Sequence, residues 1–458
     1  MGRNQSKAVD LLNGSVSKGI IQFCIPLFIG QLLQQLYNIA DAWVIGNFAE
    51  NNAFAAVSSG GSLSFLIVGF FGGLGAGGGI IISRYFGAGD EEKVKQSIHS
   101  NVLFAVICAV FATVIGLIAV PKLLVLIDTP EEVLPYSLLY FRIYFGGICT
   151  MIFYNTFMNI MRSIGDSYHP LMYLIVSSIL NIVLDITFVA GFNWGVGGAA
   201  VATIIAQGVS ALLCFIRLCR DKTYTGVRLS EIFVWHSDIM RQVVKQGLPM
   251  GVQNSVISIG NIVVQKNINA FGAYAMSGMG AYSKVEGFVF LPINSISMSI
   301  PTFISQNLGA RKYDRAKKGA RFGILSGVIC AELVGLIFYL FADPILRFFV
   351  NDDKAIEYGL MQVGVTAFFY FLLAYSHCAA GVMRGAGKAI VPMITMLSFW
   401  CVVRVIYVTV AIQFIPKFTT ISWCYPLTWF CSATVFTIWL LKSDWTHAFD
   451  TQHEWNTK

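Results

Sequence analysis

Two stretches of this chain set carboxylates into otherwise apolar surroundings. In Gln34-Gln35-Leu36-Tyr37-Asn38-Ile39-Ala40-Asp41, the side chains of Gln34, Tyr37, Asn38 and Asp41 recur at helical spacing and share one face. In Asn181-Ile182-Val183-Leu184-Asp185, Asn181 and Asp185 lie one helical turn apart and point the same way. A carboxylate inside an apolar span is costly and faces a cavity or a partner. Two of them, set among amides and hydroxyls, can hold one proton between them or supply oxygen ligands to a small hard cation such as Na⁺. The residues alone leave both chemistries open. Asp41 is the first candidate and Asp185 the second.

The elements that must carry them are membrane helices. The chain has 458 residues, 56% hydrophobic and 12% charged, with a mean hydropathy of +0.68. That is too little polar surface for a soluble protein of this length. Apolar stretches of about 20 residues recur throughout, each long enough for a helix to cross a hydrocarbon core of ~30 Å, and they lack the alternation of a membrane barrel. Twelve spans are expected, from 16–41 through 419–442. With a cytoplasmic N-terminus, spans one and five run outward and end near Asp41 and Asp185, so both carboxylates fall in the outer half of one lobe. Of the 31 Lys and Arg, only Lys122, Arg347, Lys354 and Lys417 then lie outside, while Arg142, Lys266, Lys284 and Arg404 fall within spans. This obeys the positive-inside rule and places both termini in the cytoplasm. The net charge of +7 follows from that topology and is no sign of a nucleic-acid partner. The ten cysteines form no C-x-x-C and read as buried thiols, not as a disulfide framework or metal site.

The chain also repeats itself. Ile82-Ser83-Arg84-Tyr85-Phe86-Gly87-Ala88 returns 222 positions later as Ile304-Ser305-Gln306-Asn307-Leu308-Gly309-Ala310, and Met161-Arg162 with Gly165 and Pro170 returns as Met383-Arg384 with Gly387 and Pro392. A unit of roughly 220 residues is duplicated. Six spans per copy is an even number, so both copies enter the membrane from the same side as parallel repeats. The expected organisation is a polar lead-in at 1–15, a first lobe at 16–220, a connection at 221–240, a second lobe at 241–442 and a tail at 443–458. The fold class is an all-α integral membrane protein of twelve transmembrane helices in two six-helix bundles, with the working cavity of a transporter between or inside the lobes.

The second copy lacks the carboxylate pair, with Val264 and Tyr407 at the equivalent positions. It carries Arg404 instead, which needs a counter-charge inside a span, and Glu286 and Glu332 are the candidates. Lys266, Lys284 and Glu286 are split between a charge site and span ends whose side chains reach the headgroups. Pro26 and Pro249 interrupt the first span of each copy, each removing one backbone hydrogen bond; Pro26 is a candidate hinge. The glycine run from Gly69 to Gly79 suits a close helix crossing. The chain carries no G-x-S-x-G, H-E-x-x-H or G-x-x-x-x-G-K-[ST], so soluble-enzyme chemistry is not expected and uphill transport must draw on an ion gradient.

Gln34-Gln35-Leu36-Tyr37-Asn38-x-x-Asp41, Met161-Arg162-Ser163-x-Gly165-Asp166 and Ser305-Gln306-Asn307-Leu308-Gly309-Ala310 resemble the multidrug and toxic compound extrusion (MATE) transporters, over essentially all twelve spans. The resemblance implies two six-helix bundles in a V-shaped molecule of the cytoplasmic membrane. It implies efflux of bulky, often cationic small molecules against H⁺ or Na⁺ entry by alternating access. No cofactor and no obligate protein partner are expected, and the chain is read as a monomer. The chain is most similar to the DinF-like subgroup, whose ion site is in the N-terminal lobe. Asp41, Asn181 and Asp185 match that pattern, with Gln34, Tyr37, Asn155 and Thr203 as implied neighbours. The NorM-like subgroup has acidic residues in the seventh and tenth spans; here the seventh has Gln253 and Asn254, and the tenth only Glu357 at its start. A flippase for a lipid-linked precursor is the alternative, and would place Arg404, Lys266 and Lys284 in one basic cavity.

Overall fold

The computed structural model describes residues 8–49, 61–126, 129–220 and 227–450. Parts of the lead-in (1–7), of the inter-lobe connection (221–226) and of the tail (451–458) lie outside the described residues. No strand occurs among the described residues. The main elements are twelve helices. In the first copy they are α1 Val16–Phe48, α2 Gly61–Ala88, α3 Glu91–Leu126, α4 Leu134–Gly146 with Ile148–Ser163, α5 Tyr168–Gly191 and α6 Gly195–Arg220. In the second they are α7 Ser237–Asn269, α8 Ala273–Gly309, α9 Tyr313–Leu340, α10 Asp353–Gly385, α11 Ile390–Phe414 and α12 Phe418–Lys442. Among the described residues nine are long and apolar enough to cross a membrane, and ten if the two halves of α4 are one span. The remaining two, α2 with 28 residues and α7 with 33, have the length; glycines dilute the hydropathy of one and polar groups that of the other.

The breaks in these helices have identifiable causes. The halves of α4 meet at 48° around Gly147, a residue with little helix propensity. The equivalent position in the second copy is Phe369, and α10 breaks there too, through a 3₁₀ turn at Ala367–Phe369. No glycine helps; instead Glu332 of α9 accepts the Phe371 N–H at 2.9 Å. The turn after the second helix of each copy needs a left-handed residue, which is Gly89 (φ 73) in one and Arg311 (φ 57) in the other.

The chain forms two compact units, Met1–Val9 with Ile29–Gly251, and Asp10–Phe28 with Val252–Lys458. The boundaries expected from chain order differ from these, because the first parts of α1 and α7 each belong to the unit of the other copy. Both helices change unit two residues after a proline, Pro26 and Pro249. In the first unit, glycines carry the approach of α7 to α2. A Cβ on Gly73 would stand 2.6 Å from the Gly251 nitrogen, and one on Gly77 would overlap the Gly247 backbone. In the second unit the lead-in is held by Arg315, whose guanidinium donates to the Leu11, Asn13 and Gly14 carbonyls, and by Lys312, which donates to Leu12 O at 2.9 Å.

One expectation about α1 is corrected. The span was taken to end near Asp41, but the helix continues to Phe48. Asp41 therefore sits about 10 Å inside the helix end at 1.5 Å per residue.

Candidate ion site

Three helices of the first unit are fastened together one turn away from the carboxylates. Val44 and Ile45 of α1, Val189 of α5 and Ala199 of α6 form a small apolar cluster, none more than 2% exposed. Moving one turn toward the other end of each helix reaches Asp41 on α1, Asp185 on α5 and Thr203 on α6. Apolar packing thus fixes the register, and the register brings the polar groups to one level. A local change of helix type adds to this. α5 switches from α-helix to wider π-helical turns at Ile186–Gly191, directly after Asp185. Such turns re-aim the side chains beside them and concentrate at functional positions.

The resulting geometry unites the two candidates. The Asp41 and Asp185 carboxyls stand in hydrogen-bond contact. Two carboxylates are both acceptors, so this contact becomes a hydrogen bond only when a proton lies between them. No donor reaches Asp41 Oδ1 or either Asp185 oxygen among the described residues, and both side-chain atoms of Asn181 lack a partner as well. Asp185 and Asn181 are buried, at 0% and 1% exposure. Asn181, Tyr37 and Thr203 line a cavity of about 10 Å³, together with Ser177, Ser178 and Gln207, room for about one water. The Tyr37 hydroxyl is in hydrogen-bond contact with Thr203, whose own hydroxyl donates to Ala199 O at 3.0 Å. No group of three or more His, Cys, Asp or Glu suited to a metal occurs among the described residues; a small cation here would be held by two carboxylates and neutral oxygens.

Other candidates fall elsewhere. Gln34 is exposed. Asn155 turns back on its own helix, donating to Met151 O at 2.9 Å. Pro26 lies within an unbroken α1, half-buried in the second unit. Reading the sequence for carboxylates and amides passed over Tyr140, which faces Asp41, Asp185 and Tyr37 electrostatically, and over Gln207. The available signal was a stripe of Ser137, Tyr140 and Tyr144 at helical spacing, easily taken for ordinary core.

In the second unit Arg404 is 3% exposed and directly follows a π-helical stretch, Leu397–Val403. It makes no ion pair within 4 Å among the described residues. Its guanidinium donates to Asn261 Oδ1 (3.3 Å) and Thr428 Oγ1 (3.0 Å), and lies 4.8 Å from the Tyr425 ring centroid and 5.6 Å from that of Trp400. Glu286 interacts with Arg404 only at longer range and accepts from Tyr282 Oη at 2.7 Å. Glu332, the other expected counter-charge, serves the α10 break instead. Lys266 is exposed, and Lys284 stands over the Phe349 ring.

Comparison with known proteins agrees with this architecture. The MatE family profile matches residues 26–187 and again 249–410, one match in each repeat. The chain is similar to the probable multidrug resistance protein YoeA of Bacillus subtilis (strain 168), with 27% identity over 393 residues, 84% of this chain and 85% of that protein. It is 25% identical over 394 residues to the probable multidrug resistance protein NorM of Thermotoga maritima, covering 84% and 83%. A solved structure of a MATE in complex with MaL6 gives a TM-score of 0.88 at 23% identity, covering 95% of this chain and 98% of that one. With two family matches that together take up more than half of its length, and twelve membrane-length helices to carry them, the chain belongs to the MATE family of multi-pass membrane transporters.

Proposed function

We propose that this transporter exports bulky, often cationic compounds from the cytoplasm and is driven by H⁺ or Na⁺ entering at the Asp41–Asp185 pair. The observation that carries the reading is the pair itself: two carboxyls in contact, one fully buried, with three of their oxygens lacking a donor. Such an arrangement is short of one positive charge, and a proton or a Na⁺ ion supplies it. Asn181 offers an amide oxygen to Na⁺ or an amide hydrogen to an ionised carboxylate. Relatives named for multidrug resistance support a drug-like cargo. Coupling requires only that ion and cargo disfavour each other, and that relation is reciprocal. Pro26, at the point where α1 passes from one unit to the other, is the proposed hinge. The absence of an acidic residue at Gln253, together with the first-unit pair, favours the DinF-like pattern. The remaining parts of the reading are action as a single chain in the cytoplasmic membrane, with both termini inside.

The test is movement of a fluorescent cationic dye in proteoliposomes under a proton gradient or a Na⁺ gradient imposed separately, for wild type and Asp41→Asn. Gradient-driven movement with one ion, lost in the variant, is the expected outcome. Full retention in Asp41→Asn removes the pair from the mechanism.

A further inference from the structure

Helix α9 turns Leu325, Ile329, Leu333, Leu336 and Leu340 outward, each half or more exposed, the stripe of a helix that meets hydrocarbon. Beside this stripe, Glu332 lines a groove of about 180 Å³ between α9 and α10, with Leu333, Leu336, Tyr339 and Phe368 among its walls. One Glu332 oxygen accepts the Phe371 N–H. A single backbone hydrogen bond does not neutralise a carboxylate, and no Lys, Arg or His stands within ion-pair distance of it among the described residues. The other walls are suited to a cation: the Tyr339 and Phe368 rings lie 4.6 Å apart, centroid to centroid, and are 43% and 48% exposed.

The first copy carries no charge at the corresponding place. Its equivalent of Glu332 is Val110, 59% exposed, an ordinary lipid-facing residue. Its equivalent of the α10 break is made at Gly147, without a carboxylate. An acid present in one copy only, on a surface where charge is costly, and placed beside a half-exposed aromatic pair, stands where it can meet a cation as well as hold the break.

We infer that the groove between α9 and α10 is a binding site for a hydrophobic organic cation reaching it from the bilayer. Glu332 neutralises the charge, Tyr339 and Phe368 offer ring faces to it, and the leucines cover the apolar body. The site belongs to the second unit. It rests on the membrane placement of α9 and not on ion coupling at Asp41.

The experiment uses a benzophenone photoprobe bearing a trimethylammonium group and its neutral tert-butyl counterpart, on the full chain in phosphatidylcholine nanodiscs, with cross-links mapped by peptide mass. The cationic probe is expected to label the peptides around Glu332–Tyr339 and Ala367–Phe371 about tenfold more than the neutral one, as a carboxylate in low dielectric favours charge. Glu332→Gln keeps an acceptor for the Phe371 N–H and loses the charge, so labelling by the cation should fall to the neutral level. Phe368→Leu keeps the carboxylate and an apolar wall, and should weaken labelling by the cation while sparing the neutral probe, whatever the stability of the Gln variant. Labelling should persist in Asp41→Asn, whose loss of gradient-driven transport bears on the coupling reading alone. Equal labelling by both probes, unchanged labelling in Glu332→Gln, or no label in these two segments overturns the site.

Discussion

Asp41 and Asp185 matter as a pair, and a pair has a testable arithmetic. If one cation is held between two carboxyls, removing either should abolish binding nearly as completely as removing both. Asp41→Asn and Asp185→Asn should each reduce gradient-driven transport by about tenfold or more, and the double variant should be no worse, because residues acting as one unit are not additive. The measurement is initial transport rate for the two singles and the double in proteoliposomes. Losses that multiply would show two independent sites. Both carboxylates were legible in the sequence because charge in an apolar run stands out, and Asn181 one turn from Asp185 gave the direction. Arg404 stood out equally, but its partners did not. Nothing in the sequence places Asn261, Thr428 and the Tyr425 ring beside it, since the neutral groups that surround a buried guanidinium have no spacing to betray them. The same holds for Tyr140.

At the scale of elements, hydropathy found the spans and misjudged what happens inside them. The end assigned to span one followed the polar residues Asn38 and Asp41, although Trp43, Val44, Ile45 and Phe48 continue the apolar run and the helix with it. The π-helical stretches after Asp185 and before Arg404 leave no mark in an apolar sequence, because an extra residue in a turn changes neither composition nor period enough to be read. The glycine run was legible as a close crossing, and the structure supplies its partner in Gly247 and Gly251 of α7. This gives a paired prediction. Gly77→Ala puts a methyl into the Gly247 backbone and should cost about 1–3 kcal/mol by overpacking. Gly72→Ala, where an added Cβ meets nothing within 4 Å, should be neutral or gain up to about 1 kcal/mol of helix propensity. Melting temperatures of the two variants in detergent micelles decide it, and equal effects would mean that the crossing tolerates relaxation.

For the molecule as a whole, the duplication was the most legible feature, and the family profile falls on the same two copies. What the copies no longer share is chemistry. Where the first has Asp41 and Asp185, the second has Val264, 0% exposed and part of the apolar core, and the half-buried Tyr407. Its own charges are differently placed: the Arg404 guanidinium donates to an amide oxygen and a hydroxyl and lies beside two rings, with no acceptor at Nε, and the half-buried Glu286 accepts from a tyrosine whose oxygen also meets Thr366 and Tyr370 at 3.0 Å. These groups are more fully partnered than the Asp41–Asp185 pair, three of whose oxygens lack a donor. The expectation that follows from the proposed site is a division of labour in which ion coupling rests on the first unit. Glu286→Gln tests that division, because the amide oxygen still accepts from Tyr282 while the negative charge is gone. The variant should transport with an unchanged dependence on the driving ion, measured as the ion concentration giving half-maximal rate, under conditions where Asp41→Asn shows no gradient response. A shift of that midpoint in Glu286→Gln would mean that the second copy still contributes to coupling, and that two sites, one in each unit, respond to the same gradient.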